Sequence, residues 1–163
     1  MPHAVPADVP VATDTLVTVD LGAFYRGYAS DCTRTFATGE PPARLVEAYD
    51  VCLAAQERAL AAVGPRVAGG DLDAIARDHI AEAGFGEYFG HGLGHGVGLD
   101  IHEAPTARPQ STDVFRPGMT ITVEPGIYLP GVGGCRIQHL CVVTDDGFDV
   151  LTGFTKERLT EDS

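Results

Sequence analysis

Lysine is nearly absent from this 163-residue chain, in which Lys156 is the single example. Arginine supplies the other basic residues, so that 11 cationic side chains face 23 aspartates and glutamates and the formal net charge is -12. A surface with this excess of negative charge repels phosphate backbones, and we therefore expect no nucleic-acid partner. We also expect no membrane partner, because no apolar run approaches the length that spans a bilayer.

Two further sequence signals are missing. The four cysteines contain no C-x-x-C pair, which argues against a zinc knuckle or a redox motif and favours reduced, mostly buried thiols. Residues 1–14 lack the basic and apolar segments of a signal peptide, so we expect a cytoplasmic location. With 44% hydrophobic and 21% charged residues, the composition is typical of one globular domain over residues 1–163.

The first part of the chain predicts a β-hairpin. Residues 15–22 and 28–39 are rich in β-branched residues, and a turn that contains glycine separates them. An antiparallel pairing of these two strands would bring the carboxylates of Asp20 and Asp31 face to face.

Helical and then strand-like patterns follow the hairpin. Residues 40–65 and 69–86 have apolar residues at helical spacing, with Asp71 as a candidate N-cap of the second helix. Residues 119–124 and 135–153 again have the composition of strands. This order predicts an α+β fold in which helices cover one face of an antiparallel sheet.

Three carboxylates end or begin predicted strands, and a segment rich in glycine and histidine lies between them in the sequence. The carboxylates are Asp20, Asp31 and Glu124, and residues 91–103 hold three of the six histidines. The histidines alone are compatible with a metal site, a proton-transfer site or an accidental surface cluster, and one buried carboxylate is often a salt bridge. Three carboxylates beside imidazoles indicate a shared cation, for which Mn²⁺, Fe²⁺, Co²⁺ or Zn²⁺ suits better than Ca²⁺.

Four motifs occur in order along the chain: D-x-G at 20–22, G-Y-x-S-D-x-T-R-T-F at 27–36, H-G-x-G-H-x-x-G-L-x-x-H-E at 91–103 and V-E-P-G at 123–126. Together they resemble the motifs of metallopeptidase family M24, the Xaa-Pro aminopeptidases and Xaa-Pro dipeptidases. One such motif is a weak signal, whereas all four at this spacing are specific. The resemblance covers nearly the whole chain and implies the pita-bread fold of creatinase and methionine aminopeptidase, truncated at its N-terminal side.

The resemblance also implies two divalent metals, Mn²⁺ or one of the related ions, with a hydroxide between them. Asp20 would bind one metal and Asp31 would bridge both. His95 would be the single imidazole ligand, and Glu124 would complete its site and handle the proton. The implied activity is hydrolysis of a peptide substrate at its N-terminal side, at an Xaa-Pro bond.

Four other residues receive roles from the same resemblance. His91 and His102 would contact the substrate and stabilise charge at the scissile carbonyl. His3 matches a further active-site histidine, and Arg136 is expected to bind substrate.

The chain departs from the family pattern at position 138. The family reads Gly-x-Arg-Ile-Glu where this chain has G-C-R-I-Q at 134–138, and that glutamate bridges both metals. Gln138 can still offer an acceptor oxygen to a metal, but it carries no charge. We therefore predict one tightly bound metal, a weaker second one, and low or absent peptidase activity.

A second departure concerns length. Family members carry a further helix-and-strand portion ahead of the Pro-His segment at 2–3, and often a whole domain before it. A missing strand would leave an exposed sheet edge, which predicts a homo-oligomer.

Two other functions stay open at this point. One is a non-catalytic pita-bread module that binds peptides or partner proteins. The other is a metal-free amidinohydrolase like creatinase, which has no need for Asp20, Asp31, His95 and Glu124 together.

Overall fold

The computed structural model describes Val5 and residues 7–156. The predicted active-site residue His3 lies outside the described residues. Within the described part of the chain, no helix has the length and apolar character needed to cross a membrane.

Two helices occupy the middle of the chain, as the sequence predicts. Helix α1 spans Ala43–Ala61 and begins directly after a pair of prolines, and helix α2 spans Gly69–Glu82. The prediction that Asp71 caps α2 is wrong, because the helix already begins at Gly69 and Asp71 lies in its first turn. A glycine can start the helix here because its backbone lies directly against the Thr106 carbonyl group, where no side chain would fit.

Eleven strands lie in the described part of the chain. Their bounds are β1 Thr15–Leu21, β2 Phe24–Tyr25, β3 Tyr28–Ala29, β4 Cys32–Thr38, β5 Gly94–Gly96, β6 Glu103–Ala107, β7 Thr120–Val123, β8 Gly126–Leu129, β9 Gly133–Arg136, β10 His139–Val143 and β11 Phe148–Val150. Every strand pair is antiparallel, and the strands divide into small sheets, the largest with the order β11-β10-β7. The prediction of an α+β fold is confirmed.

The register of the first hairpin differs from the expected pairing of two carboxylates. Strand β1 pairs with β4, and this register puts Asp20 opposite Thr33. Asp31 lies just before β4, and the short strands β2 and β3 continue the same hairpin in the same register towards its turn. The two carboxylates therefore lie near the same end of the hairpin without facing each other.

The hydrophobic core lies between the two helices and the strands that follow them. Its largest fully buried side chains are Leu45, Leu72, Ile80, Phe85, Leu93, Phe115, Ile121, Ile127 and Ile137. The four cysteines are free thiols, three of them buried, which confirms the expectation from their spacing. The strands that carry the candidate site are thus held against a packed core.

Candidate metal centre

Three predicted metal ligands meet where separate strands end or pass one another. Asp31 immediately precedes β4, His95 lies in the middle of β5, and Glu124 follows β7. One ligand atom from each lies within 4.8 Å of the other two. His95 Nε2 is 3.0 Å from Glu124 Oε1 and 3.6 Å from Asp31 Oδ2. Two carboxylates and one imidazole can therefore bind a single ion.

A hydrogen bond on the far side of the His95 ring fixes its tautomer. Nδ1 lies 3.0 Å from the carbonyl oxygen of Gly96, which is an acceptor, so Nδ1 carries a proton and donates it. In the neutral ring, Nε2 then directs its lone pair at the two carboxylates. Three electron-rich groups in this arrangement require a cation among them, either a proton or a metal ion.

The pKa values of the three side chains also show that the centre favours a positive charge. Burial lowers the pKa of His95, but its hydrogen bonds to Glu124 and Gly96 and the nearby negative charges outweigh burial and raise the pKa overall. Burial raises the pKa of Glu124, yet the bond to His95 and its charge lower it overall. Burial is also the main reason that the pKa of Asp31 is raised. A proton on His95 and a divalent cation therefore compete for this place.

Thr122, which no motif singles out, holds two of the ligands in position. Its hydroxyl accepts a hydrogen bond from the His95 backbone N–H at 2.9 Å and donates one to Glu124 Oε1 at 2.7 Å. The strands approach so closely that a Cβ atom on Gly94 would lie 1.8 Å from the Thr122 carbonyl oxygen. The glycine beside His95 is therefore required for this arrangement of ligands.

Asp20 and Arg136 form an ion pair beside the three ligands. Arg136 Nη2 is 2.5 Å from Asp20 Oδ2, and Arg136 Nε is 3.8 Å from Glu124 Oε2. The Asp20 side chain is 44% exposed, and it does not belong to the group of atoms that meet within 4.8 Å. The metal-ligand role of Asp20 and the substrate-binding role of Arg136 stay predictions.

Gln138 lies fully buried between β9 and β10, on the Asp31 side of the centre. Its Oε1 accepts a hydrogen bond from the Thr33 hydroxyl at 2.7 Å. Its amide opposes the effect of burial on the pKa of Asp31. Gln138 is neutral and Asp20 is paired with Arg136, so neither residue adds an unpaired negative charge to the three candidate ligands.

His91 is held by hydrogen bonds that run through Tyr128, a residue that sequence spacing does not reveal. His91 Nδ1 donates to the Gly92 carbonyl oxygen at 2.8 Å, so that Nε2 accepts from the Tyr128 hydroxyl at 2.9 Å. Arg136 Nη1 donates to the same hydroxyl at 3.0 Å. Burial raises the pKa of Tyr128 to about 12, so the phenol keeps its proton. These hydrogen bonds fix the orientation of the His91 ring.

His102 is exposed, and its ring lies edge-on to His95 with the centroids 4.3 Å apart. Both histidines line a cleft of about 600 Å³. Every predicted site residue in the described part of the chain, except Gln138, lines the same cleft. Its volume is within the range of small-molecule sites and suits a short peptide.

Several known proteins resemble this chain in sequence and in structure. The model of metallopeptidase family M24 matches residues 1–145. An Xaa-Pro dipeptidase from Pyrococcus horikoshii is 45% identical over 157 residues, which are 96% of this chain and 45% of that protein. The solved structure of an Xaa-Pro dipeptidase from Bacillus anthracis has a TM-score of 0.96 and 48% identity, over 98% of this chain and 45% of that one.

An X-Pro aminopeptidase structure from Thermotoga maritima is also similar, with a TM-score of 0.94 and 39% identity over 98% of this chain and 46% of that one. This chain thus spans less than half the length of the relatives that it matches. The likeness confirms the pita-bread fold for the part that the chain covers. Because the family model matches most of its residues and the relatives share its fold, the chain belongs to metallopeptidase family M24.

Proposed function

We propose that this chain carries the metal centre of a peptidase that hydrolyses peptides at their N-terminal side, at Xaa-Pro bonds. The observation that carries the proposal is His95 Nε2, which faces Glu124 at 3.0 Å and Asp31 at 3.6 Å. Relatives named as Xaa-Pro dipeptidases and as an X-Pro aminopeptidase support a substrate with proline at its second position.

The metal and the side chains around the cleft have separate roles in the proposed hydrolysis. When bound, a divalent metal supplies a Lewis acid that polarises a peptide carbonyl and lowers the pKa of water. Glu124, whose carboxylate lines the cleft, would accept a proton from the attacking water. His91 and His102 line the cleft and contact the substrate, with His91 oriented by Tyr128.

One divalent cation binds tightly between Asp31, His95 and Glu124 in this proposal. Mn²⁺, Co²⁺, Fe²⁺ and Zn²⁺ all suit two carboxylates and one imidazole. A second cation would need Asp20, which is paired with Arg136, and Gln138, which brings no charge. We therefore expect weaker binding of the second cation and low turnover.

A second candidate function is a non-catalytic module that binds peptides in the same cleft. Gln138 favours it, because a neutral residue occupies the place of a bridging carboxylate. In that case the metal centre and the two substrate-contacting histidines would bind a peptide without hydrolysing it.

The direct test is the release of free proline from Ala-Pro by the chain loaded with Mn²⁺. We expect slow turnover that Glu124→Gln abolishes, because this variant keeps the size of the side chain and removes the proton acceptor. Ala-Ala serves as the matched control substrate and should be cleaved much more slowly. Peptide and metal binding without any turnover would overturn the peptidase proposal and support the binding module.

We further predict self-association through the free edge of β1. In the described residues β1 pairs with β4 alone, and Val19 and Leu21 on this strand are 40% and 60% exposed. An unpaired edge with apolar side chains favours pairing with another chain. Sedimentation over a range of concentrations should show dimers or larger species, and Val19→Lys should shift them towards monomer. A concentration-independent monomer of the unmodified chain would contradict this prediction.

A further inference from the structure

His91, which lines the cleft, lies in a segment without regular secondary structure. Residues 89–93 fall between helix α2 and strand β5, and glycines stand on both sides of the histidine, at Gly90 and Gly92. Glycine gives the backbone more conformational freedom than any other residue. A segment of this composition does not fix the place of a side chain by itself, so other parts of the fold are needed to hold His91.

An ion pair on helix α2 reaches this segment. Arg77 and Asp73 lie one helical turn apart, and the guanidinium bonds the carboxylate through two nitrogens, Nε at 2.7 Å and Nη2 at 2.9 Å. The Asp73 side chain is only 2% exposed. A buried ion pair loses so much hydration that apolar residues in its place often leave stability unchanged. Stability alone therefore does not explain why these two residues are charged.

Arg77 also bonds two carbonyl groups on either side of Gly90. Nη2 donates to the His91 carbonyl oxygen at 2.7 Å, and Nη1 donates to the Phe89 carbonyl oxygen at 3.1 Å. The guanidinium lies over the Phe89 ring, 4.3 Å from its centroid, and this ring meets the His91 ring edge-on with the centroids 5.1 Å apart. Arg77 thus acts on the His91 backbone directly and on its ring by way of Phe89.

Asp73 holds the other end of the segment. Its Oδ1 accepts a hydrogen bond from the Leu93 backbone N–H at 2.9 Å. The Leu93 carbonyl oxygen in turn accepts one from the Glu124 backbone N–H at 2.9 Å. Neither Asp73 nor Arg77 lines the cleft, so any effect of the pair on a bound substrate passes through the segment that it holds.

We propose that Asp73 and Arg77 are positioning residues of the candidate site, in which Arg77 sets the place of His91 and Asp73 secures the backbone beside Glu124. The inference rests on the peptidase function proposed above, in which His91 contacts the substrate. A guanidinium suits this role because its planar fork can bond a carboxylate and two carbonyl groups at once. A lysine ammonium carries the same charge without this fork.

Arg77→Lys separates the position of His91 from the charge of the ion pair. The lysine still neutralises Asp73, so we expect a folded chain with nearly unchanged Mn²⁺ affinity. The kcat/KM for Ala-Pro should fall about tenfold to a hundredfold, because a displacement of about 1 Å at a substrate-contacting group has an effect of this size. An unchanged kcat/KM, or a parallel loss of Mn²⁺ affinity that places the effect at the metal ligands, would overturn the role of Arg77.

Arg44→Lys is the matched control. Arg44 forms an ion pair with Glu47 on helix α1 and lies over the Phe85 ring, 3.9 Å from its centroid. Within the described part of the chain, its guanidinium hydrogen-bonds Glu47 and no backbone group of residues 89–93. This variant should retain the kcat/KM of the unmodified chain. An equal loss in Arg44→Lys and Arg77→Lys would assign the effect to lost stacking on an aromatic ring and overturn the inference.

The double variant Asp73→Asn/Arg77→Met distinguishes positioning from support of the fold alone. It removes both charges, so that no unpaired charge stays buried, and the asparagine oxygen can still accept from the Leu93 N–H. We expect the unfolding free energy in urea to stay close to that of the unmodified chain, while kcat/KM stays as low as in Arg77→Lys. Recovery of kcat/KM together with stability would show that the pair supports the fold only.

The ring resonances of His91 in the NMR spectrum test the inference without relying on turnover. They are assigned by comparison with His91→Gln in metal-free chain. They should shift in Arg77→Lys and stay unchanged in Arg44→Lys. Unchanged His91 resonances in Arg77→Lys would overturn this inference even in a chain that hydrolyses Ala-Pro. Shifted resonances in a chain without turnover would instead overturn the peptidase function and support the positioning of His91 by Arg77.

Discussion

Replacing His95 with alanine should lower the affinity for Mn²⁺ by about a hundredfold or more, beyond the loss typical of residues that only support a ligand. His95 supplies the one imidazole nitrogen among the ligand atoms that lie within 4.8 Å of one another. This nitrogen is Nε2, which carries a lone pair because Nδ1 is bonded to Gly96. The variant would leave Asp31 and Glu124 facing each other without a neutral ligand between them. Hydrolysis of Ala-Pro should be lost with the metal.

His91→Ala is the matched control for this experiment. His91 lines the same cleft, but its ring nitrogens bond Gly92 and Tyr128 rather than the metal ligands. Metal content should stay nearly intact in this variant while turnover falls. Equal loss of metal from the two variants would show that the roles of the histidines have been assigned wrongly.

The metal-free chain should also lose stability steeply between pH 6.5 and pH 4, because His139 is buried in its neutral form. Burial, the Arg34 charge and the Lys156 charge together lower the pKa of His139 to about 4, against a smaller opposing effect of Glu57. Its ring accepts a hydrogen bond from the Gln56 amide at 3.3 Å. The side chain is 7% exposed, so solvent screens these effects little.

Stability falls with falling pH because His139 has a lower pKa in the folded chain than in the unfolded chain. Above pH 6.5 the histidine is neutral in both states, and its contribution to stability is fully present. As the pH falls from 6.5 towards 4, the unfolded chain takes up a proton that the folded chain excludes, so stability is lost. Lowering the pKa from 6.5 to about 4 corresponds to roughly 3 kcal/mol of unfolding free energy.

Urea denaturation of the metal-free chain at pH 7 and pH 4.5 measures this loss. His139→Gln should flatten the pH dependence, since glutamine can still bond Gln56 and does not titrate. His102→Gln, a change at an exposed histidine, is the control and should retain the steep loss. A pH dependence that His139→Gln leaves unaltered would assign the loss to other groups.

The three candidate ligands were predictable from short sequence patterns. Asp31, His95 and Glu124 each belong to a local motif in which a strand end or flanking glycines fix the backbone. The local conformation of such a motif depends mainly on the neighbouring residues, so that it can be predicted from the sequence. The structure accordingly brings these three together within 4.8 Å.

The residues that hold the ligands could not be predicted in the same way. Thr33 and Gln138 form a hydrogen bond although they lie 105 positions apart, and Tyr128 reaches His91 across 37 positions. Such hydrogen bonds form only when the strands pack together, and the spacing of residues along the chain does not reveal them. The position of Asp20 relative to Asp31 depends on the hairpin register, which puts Asp20 opposite Thr33.

Calorimetric titration of Mn²⁺ into metal-free chain measures directly whether Asp31, His95 and Glu124 bind a divalent cation. We expect one tight site per chain and a second site weaker by about tenfold to a hundredfold, because Gln138 lacks the bridging charge. Glu124→Ala should abolish the tight site. The absence of saturable binding, or the same binding by the unmodified chain and by Glu124→Ala, would show that these three residues do not form a metal site.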